Sequence, residues 1–243
     1  LNSGTDALTF GLSLIGVRKG DEVITPPNSF IGSSAAIVHL GAIPIFADVR
    51  VDQNIDPIEI EKKITKKTKA IMPVHLSGLP CDMEKIMKIS KKYNLPVIED
   101  AAQAIGTKYR EKFVGTYGEI GCFSAHPLKN LNAMGDAGYL VTNNKKIAEK
   151  VRLLRNHGIK GRDKVISFGF VSRMDNVQAA ILNIRLKKLK GVINTRRANA
   201  RLYFRELGKL KNVKLPYENK NYFHTYHTFV IQAENRNELK KHL

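Results

Sequence analysis

Strand-like and helix-like segments alternate from residue 5 to residue 156, and this constrains the fold more than any other feature of the chain. Apolar residues at helical spacing mark 5–15, 29–40, 57–64, 82–93 and 145–156 as helices. Short apolar, β-branched runs mark 22–25, 43–49, 69–75, 96–100, 119–124 and 138–142 as strands. Gly41 is placed to stop the second helix, and Asp82 stands near the cap of the fourth. Such alternation predicts an α/β fold, with a mostly parallel sheet sandwiched by helices. Ligands of these folds gather at the carboxyl ends of the strands. From Asp175 the pattern changes to long, charged helices reaching about Leu210, and 222–232 reads as a strand. The expected division is a large domain over 1–175, then linking helices and the start of a smaller α+β domain over 176–243. Neither repeats nor low-complexity linkers interrupt it.

Composition narrows the function. The chain is 43% hydrophobic and 26% charged, enough apolar material for a packed core. No run approaches the roughly 20 apolar residues of a membrane span, and Leu1 to Asp6 lacks the basic and apolar regions of a signal peptide. Without an initiator Met, and opening as if in mid-domain, the chain reads as a fragment. Cys81 and Cys122 are its only cysteines and have no metal-ligand spacing. They are expected as free thiols of a reducing, cytoplasmic compartment. The net charge is +18, but the lysines are scattered in groups such as Lys62, Lys63, Lys66 and Lys67, each beside apolar residues on a helix. That is the pattern of solvated helix faces, not of nucleic-acid binding. An anionic nucleotide substrate would suit the charge.

Three segments carry the candidate chemistry. The strand 96–100 ends in Glu99 and Asp100, where a carboxylate faces the ligand crevice, and Ala101 and Ala102 after it leave room for a flat ring. On its own such an acid is as readily a helix cap or a surface charge. Lys129 lies in a polar, Gly-rich loop between two strands, five residues after Ser124. A lysine there can also be one half of a structural ion pair. The small polar turn Asn2-Ser3-Gly4-Thr5 leads into a helix, whose free N–H groups and dipole favour an anion, although any capped helix looks similar.

Together the segments resemble the DegT/DnrJ/EryC1/StrS sugar aminotransferases, which have the aspartate aminotransferase fold. The resemblance runs in order through 3–8, 25–30, 41–49, Glu99-Asp100-Ala101-Ala102-Gln103-Ala104, 123–131, 154–158 and 172–180, covering essentially the whole chain. It implies the type I fold of pyridoxal 5′-phosphate (PLP) enzymes, with a seven-stranded type of sheet. It implies that Lys129 attaches PLP, that Asp100 pairs with the protonated pyridine nitrogen, and that Gln103 lies near the ring and its O3′. Phe30 would stack on the ring face, or be an ordinary core aromatic. Gly4, Thr5 and Ser124 would bind the phosphate. His75 ends a strand and would either line the site or serve structure.

The resemblance further implies amino transfer from an amino-acid donor, glutamate, to a keto-sugar nucleotide, ping-pong kinetics and a homodimer. The setting would be amino-sugar biosynthesis for surface polysaccharide or secondary metabolites. The run Lys129 to Asp136 looks more like members acting at C3 of the sugar than at C4; a cyclitol ketone is a further alternative. Lys129 argues against the dehydratase relatives, which carry His there. Two positions depart from the family. Val171 stands where an Asn usually reaches the partner's phosphate, and Ala137 stands where a Gly follows the loop's acid. Ala137 would be strained only at positive φ. The departures keep open a non-catalytic PLP-binding regulator.

Overall fold

A computed structural model describes residues 1–243. In chain order the elements begin α1 (Gly4–Leu14), β1 (Glu22–Thr25), α2 (Ile31–Val38), β2 (Ile43–Phe46), α3 (Pro57–Lys62), β3 (Thr68–Ile71), α4 (Met83–Tyr93) and β4 (Ile98–Asp100). They continue with β5 (Lys108–Tyr109), β6 (Lys112–Phe113), β7 (Ile120–Ser124), β8 (Gly138–Val141), α5 (Lys145–Leu154), β9 (Ile159–Lys160) and β10 (Lys164–Val165). Last come α6 (Asn176–Leu207), β11 (Val213–Lys214), β12 (Tyr222–Phe223), β13 (Gln232–Ala233) and α7 (Arg236–His242).

The expected mostly parallel sheet is present, with six strands. β2, β1 and β3 pair in parallel, and parallel bridges Ile71–Val97 and Val74–Asp100 join them to β4. β4 pairs in parallel with β7, and β8 closes that edge antiparallel. Helices cover both faces. Leu8, Leu12, Ile37, Ile147 and Val151 pack with Val23, Met72 and Ile120 on one face. On the other, Ile60, Met83, Ile86 and Ile89 pack with Ile24, Ile71 and Val97. Both clusters are buried on either side of the same strands, so consecutive residues such as Val23 and Ile24, or Val97 and Ile98, are both apolar and both buried.

The local signals act as expected. Asp82 caps α4, accepting from the Lys85 N–H, and Gly41 has φ +70 just after α2. The long charged region forms one helix, α6. Its apolar stripe, Leu182, Leu189 and Ile193, packs on Ala125, Leu131, Ala133 and Ala137, so α6 supports the loop that carries Lys129.

The expected strand over 222–232 does not form. Tyr222 and Phe223 pair with β5, whereas Gln232 and Ala233 pair with β11. Between them the chain is pinned to Ser77, Gly78 and Thr107. The Thr225 and His227 N–H groups donate to Gly78 O and Ser77 O, and Thr225 Oγ1 lies 2.8 Å from Thr107 Oγ1. Arg197 takes the His224 carbonyl, and Arg196 those of Tyr226 and His227. These partners use the backbone groups that a strand ladder would need. No helix is long and apolar enough to cross a membrane.

Candidate active site

The carboxyl edge of the sheet opens into a cavity of about 420 Å³, lined by all seven candidate residues: Gly4, Thr5, Phe30, Asp100, Gln103, Ser124 and Lys129. A larger open groove of about 830 Å³ lies between α4 and the β5–β6 hairpin and contains none of them.

One end of the cavity has the donors an anion cradle needs. Ser3 caps α1, its Oγ accepting from the Asp6 N–H at 3.1 Å. The N–H groups of Gly4 and Thr5, in the first turn, have no intrahelical acceptor. Gly4 lies directly against Ser124 at the end of β7; a Cβ on residue 4 would come 2.8 Å from Ser124 Cβ. The helix dipole, two free donors and a hydroxyl therefore meet at one place.

Asp100, 4% exposed, ends β4. Its Oδ2 accepts from Ser33 Oγ at 2.7 Å and its Oδ1 from the Ala102 N–H at 3.1 Å. Burial pushes its carboxyl above the ordinary value, while the Ser33 and Ala102 bonds and the Lys129 charge pull the other way. Lys129 is half-buried. Burial lowers its ammonium pKa, and the Asp100 charge opposes that. Its loop is held by side chains of α6. Arg185 Nη1 donates to Asn132 O at 2.7 Å and to Ala133 O at 3.2 Å, and Gln178 Oε1 accepts from the Met134 N–H at 2.8 Å.

Phe30 stands at the start of α2, lines the cavity and is 69% exposed, so the core reading of this ring is overturned. Gln103 Oε1 accepts from the Ser77 N–H at 2.6 Å. His75 is outside the cavity and fully buried. Its Nδ1 accepts from the Cys81 N–H, so Nε2 carries the proton and donates to Glu99 at 3.0 Å. His75 is thus structural, and the carboxylate it holds also accepts from the N–H groups of Gly115, Tyr117 and Gly118. Burial penalises the Glu99 charge, but His75 and these donors outweigh it and hold the carboxyl below its usual range. Ala137 does not have positive φ and is buried under α6, so its departure from Gly is unstrained. Val171 is half-exposed on a loop, where its carbonyl accepts from Asn2 Nδ2.

Sequence reasoning missed Ser29, Ser33, Asp136 and His227, which also line the cavity. His227 comes from the segment read as a strand. Its Nδ1 is buried without a partner, and burial, then Lys129 and Arg196, push its pKa down to about 4. Ser33 looked like any small residue in an apolar helix, and no local signal marked it.

The residues fit PLP. The cradle suits its phosphate, Lys129 its aldehyde, and Asp100 its ring nitrogen; Phe30 and Ala102 flank the space for a flat ring. A mostly parallel sheet with a lysine, a buried carboxylate and an anion cradle at its carboxyl edge defines the fold of the type I PLP-dependent transferases. More particularly, the chain belongs to the DegT/DnrJ/EryC1/StrS aminotransferase family, whose profile it matches over residues 1–243. It is 43% identical to a pleiotropic regulatory protein of Geobacillus stearothermophilus over 99% of this chain and 66% of that one. It is 43% identical to a UDP-N-acetyl-3-dehydro-alpha-D-glucosamine 3-aminotransferase of Acidithiobacillus ferrooxidans over 98% of this chain and 64% of that one. The crystal structure of S. venezuelae DesV superposes with a TM-score of 0.96 at 39% identity, over 99% of this chain and 65% of that one. The chain therefore spans just under two thirds of the length of these relatives.

Proposed function

We propose that the protein is a PLP-dependent aminotransferase that moves an amino group from glutamate to a keto-sugar nucleotide. The observation that carries this reading is the meeting of Lys129 and Asp100 in one cavity with the Gly4–Ser124 anion cradle. Bound PLP supplies a carbonyl that condenses with amines and a ring that accepts an electron pair. Gly4, Thr5 and Ser124 would hold the phosphate, and Phe30 would cover one ring face. Asp100 would hold the proton on the ring nitrogen, and Gln103 would lie by the ring's O3′. Lys129, half-buried with a lowered pKa, has more of the neutral amine that attachment requires. Released by the donor, its Nζ would take the proton from the donor's Cα and return it to the cofactor's C4′.

C3 of the sugar is the preferred position. Its support is the Lys129–Asp136 run and the 3-aminotransferase named for the Acidithiobacillus relative. The name of the Geobacillus relative speaks of regulation; the aminotransferase name of the Acidithiobacillus relative favours turnover. Residues 1–175 would form the PLP domain and 176–243 the linking helix with the start of a second domain. A homodimer is part of the proposal, supported by the exposed apolar run Val165, Ile166, Phe168 and Phe170. The cytoplasm is proposed on the free, buried Cys81 and Cys122.

The test is the absorbance spectrum of the full-length protein with PLP, before and after glutamate, beside Lys129→Ala. A visible band that needs Lys129, shifts with glutamate and returns on adding a 3-keto-sugar nucleotide supports the reading. A band that no amino donor moves points to the regulator, and no Lys129-dependent band ends the proposal.

A further inference from the structure

Ser29 lies in the turn just before α2 and Ser33 in its first turn, and both line the cavity. Ser33 is 2% exposed, and its Oγ lies 2.7 Å from Asp100 Oδ2 and 2.6 Å from Ser29 Oγ. An ionised carboxylate only accepts hydrogen bonds, so Ser33 spends its one proton on Asp100. Ser29 must then donate to Ser33. The two hydroxyls form a chain with both dipoles directed at the carboxylate, and each bond polarises the next. Gly32 packs against α1: a Cβ there would come 2.9 Å from Thr5 Oγ1, and the Thr5 side chain would have to give way.

The two oxygens of Asp100 are held from different directions, Oδ2 by Ser33 and Oδ1 by the Ala102 N–H. The carboxylate is thereby fixed about its last torsion, and each oxygen keeps a free lone-pair site. We propose that Ser33, backed by Ser29, is a positioning residue: it fixes the Asp100 carboxylate in its charged form, so that Asp100 can hold the proton on the cofactor's ring nitrogen. This rests on the PLP reading above. The other groups that act on Asp100 are Lys129 and His75, both outside the serine chain. Burial alone opposes the charge, and the hydroxyl chain is the nearest counterweight on the α2 side.

The experiment uses the full-length protein, PLP-free and PLP-loaded, as wild type, Ser33→Ala, Ser33→Thr and Ser29→Ala. In the PLP-free protein the Asp100 carboxyl is titrated by carbon-13 NMR and assigned with Asp100→Asn. Removing a hydrogen bond to the charged form raises the midpoint; Ser33→Ala should raise it by about one pH unit, and Ser33→Thr, which keeps a hydroxyl, should restore it. Ser29→Ala should give a smaller rise in the same direction, and it decides the matter if Ser33→Ala does not fold. With nitrogen-15 ring-labelled PLP, Ser33→Ala should lose the protonated-ring signal at lower pH than wild type. An unchanged Asp100 midpoint in the serine variants overturns the proposal, even if they melt at lower temperature. Failure of wild type to bind PLP through Lys129 would instead sink the functional reading, and the PLP-free titration would still decide whether Ser33 sets the charge of Asp100.

Discussion

Gly4 and Ser124 touch so closely that any side chain at residue 4 would displace one of them. One begins the first helix and the other ends a central strand, yet together they make the anion cradle. Their contact turns two ordinary local signals into a site.

Gly4→Ala should therefore weaken retention of PLP more than it weakens the fold. Relieving the 2.8 Å approach requires α1 to shift away from Ser124, at a strain typical of overpacking, about 1–3 kcal/mol. The PLP dissociation constant should rise about tenfold or more. Dialysis against PLP-free buffer, followed by absorbance, checks this; retention equal to wild type would contradict the cradle.

Lys129 should titrate below an exposed lysine, because burial disfavours its charge, while the Asp100 carboxylate partly offsets the shift. Asp100→Asn removes that offset, so the lysine midpoint should fall further. Amine-selective labelling of the PLP-free protein against pH measures it. A midpoint that rises in Asp100→Asn would mean that the two groups do not face each other.

Arg185 reaches from α6 to the carbonyls of Asn132 and Ala133. Arg185→Met keeps much of the apolar stem but leaves both carbonyls without this donor, each such bond contributing about 1–3 kcal/mol. Hydrogen exchange of amides in 129–135 should quicken, kcat should fall, and the melting temperature should drop by several degrees. Unchanged exchange in that loop would remove Arg185 from the site's support.

His224 is buried, its Nε2 donates to Ser77 O, and its Nδ1 has no partner. Burial pushes its pKa from 6.5 to about 4, against the Ser77 bond. Its folded value lies below its unfolded value, so the unfolded chain binds the extra proton first. The stabilisation is complete above pH 6.5 and is lost as pH falls towards about 4. Its size is on the order of 3 kcal/mol. Urea midpoints measured across that window should fall more steeply in wild type than in His224→Gln; parallel slopes would refute it.

By itself the sequence determined the elements and the candidate set. Residue spacing reports which face of a segment is buried, and caps such as Asp82 and stops such as Gly41 act within a few residues. Parallel sheets gather strand ends and helix starts at one edge, so Asp100, Ser124 and Gly4 carried their positions in their local patterns, whereas Phe30 and Gln103 entered through the resemblance to a family. Only the tertiary structure decided the rest. It separated His75, locked behind the strand by Cys81 and Glu99, from Phe30, which stands open to the cavity. It broke the expected strand at 222–232 by pinning Thr225 and His227 to residues far away in the chain. It brought Ser33 onto Asp100 and Arg185 under the Lys129 loop. These outcomes depend on which distant groups satisfy a buried donor or carboxylate, and periodicity along a single segment does not encode that.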